Sequence, residues 1–112
     1  MGIERRFQLT IRVGIITVAI IAATTAITGF SQGADTYKAK CQMCHGATGM
    51  ADSGPGKAMK VKPISDPEVK KLTEAEMISA TTKGMGKMQP FKDKLTEAQI
   101  KDAVVSFRTF SK

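Results

Sequence analysis

Apolar residues dominate one stretch of the chain, from Val13 to Phe30, and beyond it they return singly at helical spacing. Two later segments, "LTEAEM" and "LTEAQI", open with the same pair of devices. In the first, Thr73 caps and Glu76 closes a capping box while Leu72 staples to Met77; in the second, Thr96 and Gln99 form the box and Leu95 staples to Ile100. The last helix then carries Ile100, Val104, Phe107 and Phe110 along one stripe. An earlier helix, around residues 35–44, sets Tyr37 four residues before Cys41, on one face. Asp66 followed by Pro67 starts a short helical turn through Lys71. No segment alternates as a strand should and none repeats, so the pattern predicts an all-α fold.

The apolar stretch itself reads as targeting. Arg5, Arg6 and Arg12 stand before it against one acid, Glu4, and small and polar residues follow in "TGFSQGA". That is the order of a secretory signal, with cleavage expected after Gly33 or Ala34, so that residues 1–34 are leader and residues 35–112 a single domain outside the plasma membrane. The alternative is a retained membrane anchor, since about eighteen mostly apolar residues lie at the lower edge of what spans a bilayer. The Arg pair alone is a weak twin-arginine signal.

Charge narrows the partners. The chain has 17 Lys+Arg and 10 Asp+Glu. Three and one of these precede Asp35, which leaves a net charge of about +5 on the remainder. No basic run and no interleaving of basic and aromatic residues appears, which argues against nucleic acid. A docking face for an acidic protein partner fits better, beside the plain reading of a solvated, soluble surface. So short a domain, with no Trp, is marginal for a self-sufficient core, and such domains recruit a disulfide, a metal or a partner.

The chain's only two cysteines and only histidine sit together in "KCQMCHGATG" as Cys41, Cys44 and His45. A structural zinc site wants four ligands and finds no further Cys or His. A thioredoxin-like dithiol wants a strand before it and a helix after it, whereas a Gly-rich loop follows Cys44. A disulfide between the two would close too small a loop to stabilise much. Covalent haem attachment remains: both thiols add to the porphyrin vinyl groups, and the histidine that follows becomes the proximal iron ligand. With no second histidine, the other axial position falls to methionine, lysine or nothing. Met1 goes with the leader, Met43 lies inside the motif, Met50 and Met59 follow it closely, and Met77 reads as a buried helix residue. Met85 and Met88, in "TKGMGKMQPFKDKLT", are left.

With CQMCH near the start of the domain, a Gly- and Pro-containing loop after it and a closing helix, residues 35–112 resemble the class I cytochromes c, in particular the short soluble bacterial and photosynthetic monohaem forms. The resemblance implies three to four short helices wrapped around one haem c. It implies Met88 as sixth ligand, because Met88 to Phe91 keeps the spacing of the family's Met-Pro-x-Phe signature, with Gln89 where the first proline usually stands and Met85 as the alternative. It implies that the Pro55 carbonyl accepts a hydrogen bond from His45 Nδ1, with Pro63 as rival. It also matches Gly33, Tyr37 and Phe107 to residues that pack the first helix on the last, a contact at odds with cleavage after Gly33.

The function expected is that of a periplasmic, monomeric, non-enzymatic one-electron carrier between respiratory or photosynthetic partners, with Lys40, Lys57, Lys87 and Lys92 steering an acidic partner. The competing expectation, kept open by Gln89, is a haem peroxidase or gas-binding sensor whose sixth position is free.

Overall fold

The computed structural model describes residues 31–112. Helix α1 is seen over 31–40. It is followed by α2 (Gln42–His45), α3 (Gly54–Ala58), α4 (Pro67–Lys71), α5 (Glu74–Lys83) and α6 (Glu97–Thr109). Most of the expected leader, including the apolar stretch, lies outside the described residues. Among the described residues the only extended pairing is one isolated bridge, between Met85 and Met88, so the fold is all-α as the pattern predicts.

The helix starts are made locally. Thr73 and Thr96 each accept from the backbone N–H three residues on, and the Glu76 and Gln99 side chains reach back to the cap N–H, closing both boxes. Asp66 caps α4 by accepting from the Glu68 N–H at 2.8 Å, with Pro67 behind it. One difference from expectation falls in the Gly-rich loop after the motif: Ser53 accepts from the Gly56 N–H and starts the short helix α3, with Pro55 in its first turn. Proline is preset for that position and lacks the N–H that would go unused there.

The core is built where α5 and α6 pack on each other. Ile64, Met77 and Val104 are buried together, with Val69, Leu72, Ile78, Phe107 and Phe110 packed around them. Ile100 is 1% exposed. The stripe of α6 therefore faces inward from Ile100 to Phe110. Arg108 ties α6 to the segment before α5 by donating to the Leu72 carbonyl at 3.1 Å.

α1 crosses α6 at Gly33. A Cβ added there would stand 2.4 Å from the Asp102 carbonyl oxygen, well inside any tolerable contact, so the two backbones meet with no room for a side chain. One helical turn later Tyr37, 3% exposed, stacks on Phe107 at 5.9 Å between ring centroids and meets Phe110 edge-on at 5.3 Å.

Two outcomes follow. Gly33→Ala should cost about 1–3 kcal/mol in denaturant unfolding, because the crossing must open to admit a methyl group. The Glu76 carboxyl is held below its ordinary value by the Thr73 N–H and then by the Thr73 hydroxyl. A depressed folded-state value gives stability that is present above pH 4.5 and is lost as pH falls through the folded value. Thermal melts across that acid range should show this slope in the native protein and a flatter one in Glu76→Gln.

Candidate functional site

α1 delivers the cysteine motif. The Cys41 N–H still donates to the Tyr37 carbonyl at 2.8 Å, but Cys41 itself, at φ −116°, interrupts the helix before α2 resumes. The His45 N–H donates to the Cys41 carbonyl at 3.0 Å, so the two thiols and the imidazole occupy little more than one helical turn. Both cysteines are free and half-buried. Burial, then the neighbouring Cys44, pushes the Cys41 thiol up to about 11. That value keeps it protonated at neutral pH and argues against a reactive redox dithiol, whose attacking sulfur must ionise.

The imidazole is held from one side by an aromatic ring: Phe107 of α6 meets His45 edge-on at 5.2 Å. Burial lowers the His45 pKa, favouring the neutral ring with a lone pair free for a metal. Its Nδ1 is buried with no hydrogen-bond partner among the described residues. Pro55, the acceptor implied for it, stands exposed in α3, and its carbonyl accepts from the Met59 N–H at 3.0 Å. The rival Pro63 carbonyl accepts from the Asp66 N–H at 2.9 Å. Each carbonyl keeps a second lone pair.

The loop behind the motif is locked onto it. Gly46 and Gly49 take φ of +80° and +73°, open to glycine without strain. The Ala51 N–H returns to the His45 carbonyl at 2.8 Å, and the Ile64 N–H to the Gly49 carbonyl at 2.8 Å. A Cβ on Gly56 would meet the Cys44 carbonyl oxygen at 2.3 Å, so α3 lies directly against α2. Three polar contacts here were not foreseen. The Tyr37 hydroxyl donates to the Gly46 carbonyl at 2.7 Å, and the Ser53 hydroxyl donates to the Met43 carbonyl at 2.6 Å while accepting from Gly56. Only Ser53, a cap residue before Gly-Pro, left a readable signal in the sequence.

The segment 84–91, which carries the methionine candidates, is anchored on α5. The Phe91 N–H donates to the Thr81 carbonyl at 3.0 Å and the Lys92 N–H to the Thr82 carbonyl at 3.2 Å, which pins the far end of the segment to α5, and Phe91 is buried. Met88 is half-buried and Met85 is 63% exposed. Gln89, standing where a proline was expected, takes a hydrogen bond from the Lys94 ammonium. Lys40, Lys57, Lys87 and Lys92 are all exposed.

Two free thiols a turn apart, followed by a half-buried imidazole whose pKa is lowered by burial, form the donor set that a covalently attached haem requires, and the residues present fit that group. Comparison with known proteins agrees. The solved c-type cytochrome KustC0563 superposes with a TM-score of 0.65 at 30% identity, covering 71% of this chain and 98% of that one. The fold is that of a small monohaem c-type cytochrome. More specifically, residues 29–105 match the family described as cytochrome C oxidase, cbb3-type, subunit III, and the chain belongs to that family. No curated protein matches. Membership brings covalently bound haem c with its iron and haem-based electron transfer. Cytochrome c domains are typically extracytoplasmic, and among the described residues no helix is long and apolar enough to cross a membrane.

Tyr37→Phe keeps the aromatic packing and removes one buried hydrogen bond, leaving the Gly46 carbonyl with only the longer bond from the Gly49 N–H at 3.4 Å. It should cost about 0.5–1.5 kcal/mol of stability in chemical denaturation.

Proposed function

We propose that the protein is a periplasmic one-electron carrier whose haem c is anchored through Cys41 and Cys44 and ligated by His45 and Met88. The observation that carries the reading is the half-buried His45 imidazole, set edge-on to Phe107 and within one turn of two free thiols. Cys41 and Cys44, both free thiols, would hold the haem by thioether bonds to its two vinyl groups, an addition of S–H across C=C that would need no oxidant. When bound, the haem supplies a one-electron iron couple, whose potential methionine ligation raises.

The remaining roles belong to the chain. Burial keeps His45 neutral and ready to donate its lone pair. The Pro55 carbonyl, on the helix packed against the motif, is the acceptor we assign to His45 Nδ1–H, a contact that orients a ligating ring and raises its basicity. Met88 would offer its thioether sulfur to the iron from a loop tied to α5 through Phe91 and Lys92. The exposed Lys40, Lys57, Lys87 and Lys92, together with the excess of basic residues, favour redox partners with an acidic face, reached by electrostatic steering that weakens as salt rises. The monomeric state is part of the same reading, as is export on an N-terminal leader. Cleavage upstream of Gly33 is favoured by the Gly33 contact with Asp102, which a leader ending at that residue would forfeit.

The test uses the purified holoprotein. Haem should stay with the chain through acid–acetone extraction and be released from a Cys41→Ala, Cys44→Ala double variant. The ferric form should show the weak long-wavelength band of thioether-bound iron, and the ferrous form should not respond to carbon monoxide. Ready carbon monoxide binding by the native protein would overturn methionine ligation and put gas binding or peroxidase chemistry first.

A further inference from the structure

Met85 and Met88 are partners before either is a ligand. The Met85 N–H donates to the Met88 carbonyl at 3.1 Å, and the Met88 N–H donates back to the Met85 carbonyl at 2.9 Å. This double exchange closes a hairpin of two residues, Gly86 and Lys87. Gly86, at φ +57°, takes the left-handed setting that a tight hairpin demands of its first central residue, and nothing stands within 4 Å of where its Cβ would be. Residues directly opposite in an antiparallel pair send their side chains to the same face, with Cβ atoms about 5 Å apart. The two thioethers therefore leave one face of one hairpin as near neighbours.

The hairpin is held at its base and free at its tip. At the base, Gly84 has φ +80°, and a Cβ there would stand 2.8 Å from the Met88 carbonyl oxygen and 3.0 Å from the Pro90 nitrogen. Beyond it, Phe91 and Lys92 are hydrogen-bonded to α5 and the Gln89 side chain is engaged by Lys94. The backbone of Met85 is fixed only by its two bonds to Met88, and the residue is 63% exposed. Methionine is unbranched, with three rotatable bonds, and its sulfur carries no proton to lose before it binds a metal. Exchanging one thioether for its neighbour thus requires rotation about side-chain bonds and a small tilt of the hairpin, with no change of charge.

We propose that Met85 is a second iron-competent thioether, which takes the sixth position whenever Met88 leaves it or is absent. The proposal rests on the His45/Met88 reading and adds to it. Paired in this way, the hairpin keeps the iron six-coordinate and shut to small exogenous ligands even when one sulfur dissociates, a property suited to a carrier and unsuited to a gas sensor.

Holoproteins of the native sequence, Met85→Ala, Met88→Ala and the double variant decide the question. The readouts are the ferric thioether band and the carbon monoxide affinity of the ferrous form, with haem content and far-ultraviolet circular dichroism showing that each variant is folded and loaded. Both single variants should keep the band and hold carbon monoxide affinity within about tenfold of native. The double variant should lose the band and gain about 100-fold or more in apparent affinity, the factor by which a site closed 99:1 suppresses a competing ligand. If Met88→Ala opens as far as the double variant while Met85→Ala stays native, the proposal is overturned and Met88 ligation stands. Loss of the band in Met85→Ala with Met88→Ala unaffected would overturn both, with Met85 the resident ligand. A double variant still closed to carbon monoxide would also overturn both, because neither thioether would then be needed.

Discussion

The crossing of α1 on α6 is the constraint on which the rest depends. Gly33 lets the two backbones meet at Asp102, and Tyr37, one turn on, wedges between Phe107 and Phe110. That contact fixes where α1 ends, and the motif that follows it brings His45 edge-on to Phe107 of the same helix. Phe107 thus touches both the residue that fixes the crossing and the residue proposed to hold the iron. Packing and chemistry are joined through one ring.

The second dependence is on glycine. Gly46 and Gly49 turn the chain away from the motif at positive φ, and Gly56 brings α3 so close that the Cys44 carbonyl would collide with any Cβ. Side chains at these points would push the loop off the motif. The Gly46 carbonyl, buried in this tight wrapping, is served by the Tyr37 hydroxyl, as burial requires, while at the surface the Ser53 hydroxyl donates to the Met43 carbonyl. Such an arrangement leaves few apolar side chains for the protein's own core. Among the described residues the clustered core is small, around Ile64, Met77 and Val104, and a bound haem would supply a large apolar body to so short a chain.

Helix existence and helix starts were legible because both are local. Capping boxes and an Asp-Pro start work within four residues, and the structure has all three where the text of the chain has them. The all-α class followed from spacing alone, and the cytochrome c kinship from a pentapeptide joined to a Gly-Pro loop and a closing helix. The short helix α3 was less legible because glycine at three of the nearby positions 49, 54 and 56 reads as loop, whereas the Ser53 cap and Pro55 overrode that propensity.

By itself, then, the sequence determined the helical class, the helix caps and the grouping of two thiols with one imidazole, since each is set by neighbours a few bonds away. Tertiary structure alone decided which groups meet across the chain: the bare contact of Gly33 with Asp102, the ring of Phe107 on His45, the Tyr37 hydroxyl on Gly46, and the base of the Met85–Met88 hairpin pinned to α5. The physical reason is that such contacts depend on where backbones cross in three dimensions, and a crossing angle is not written in any one segment.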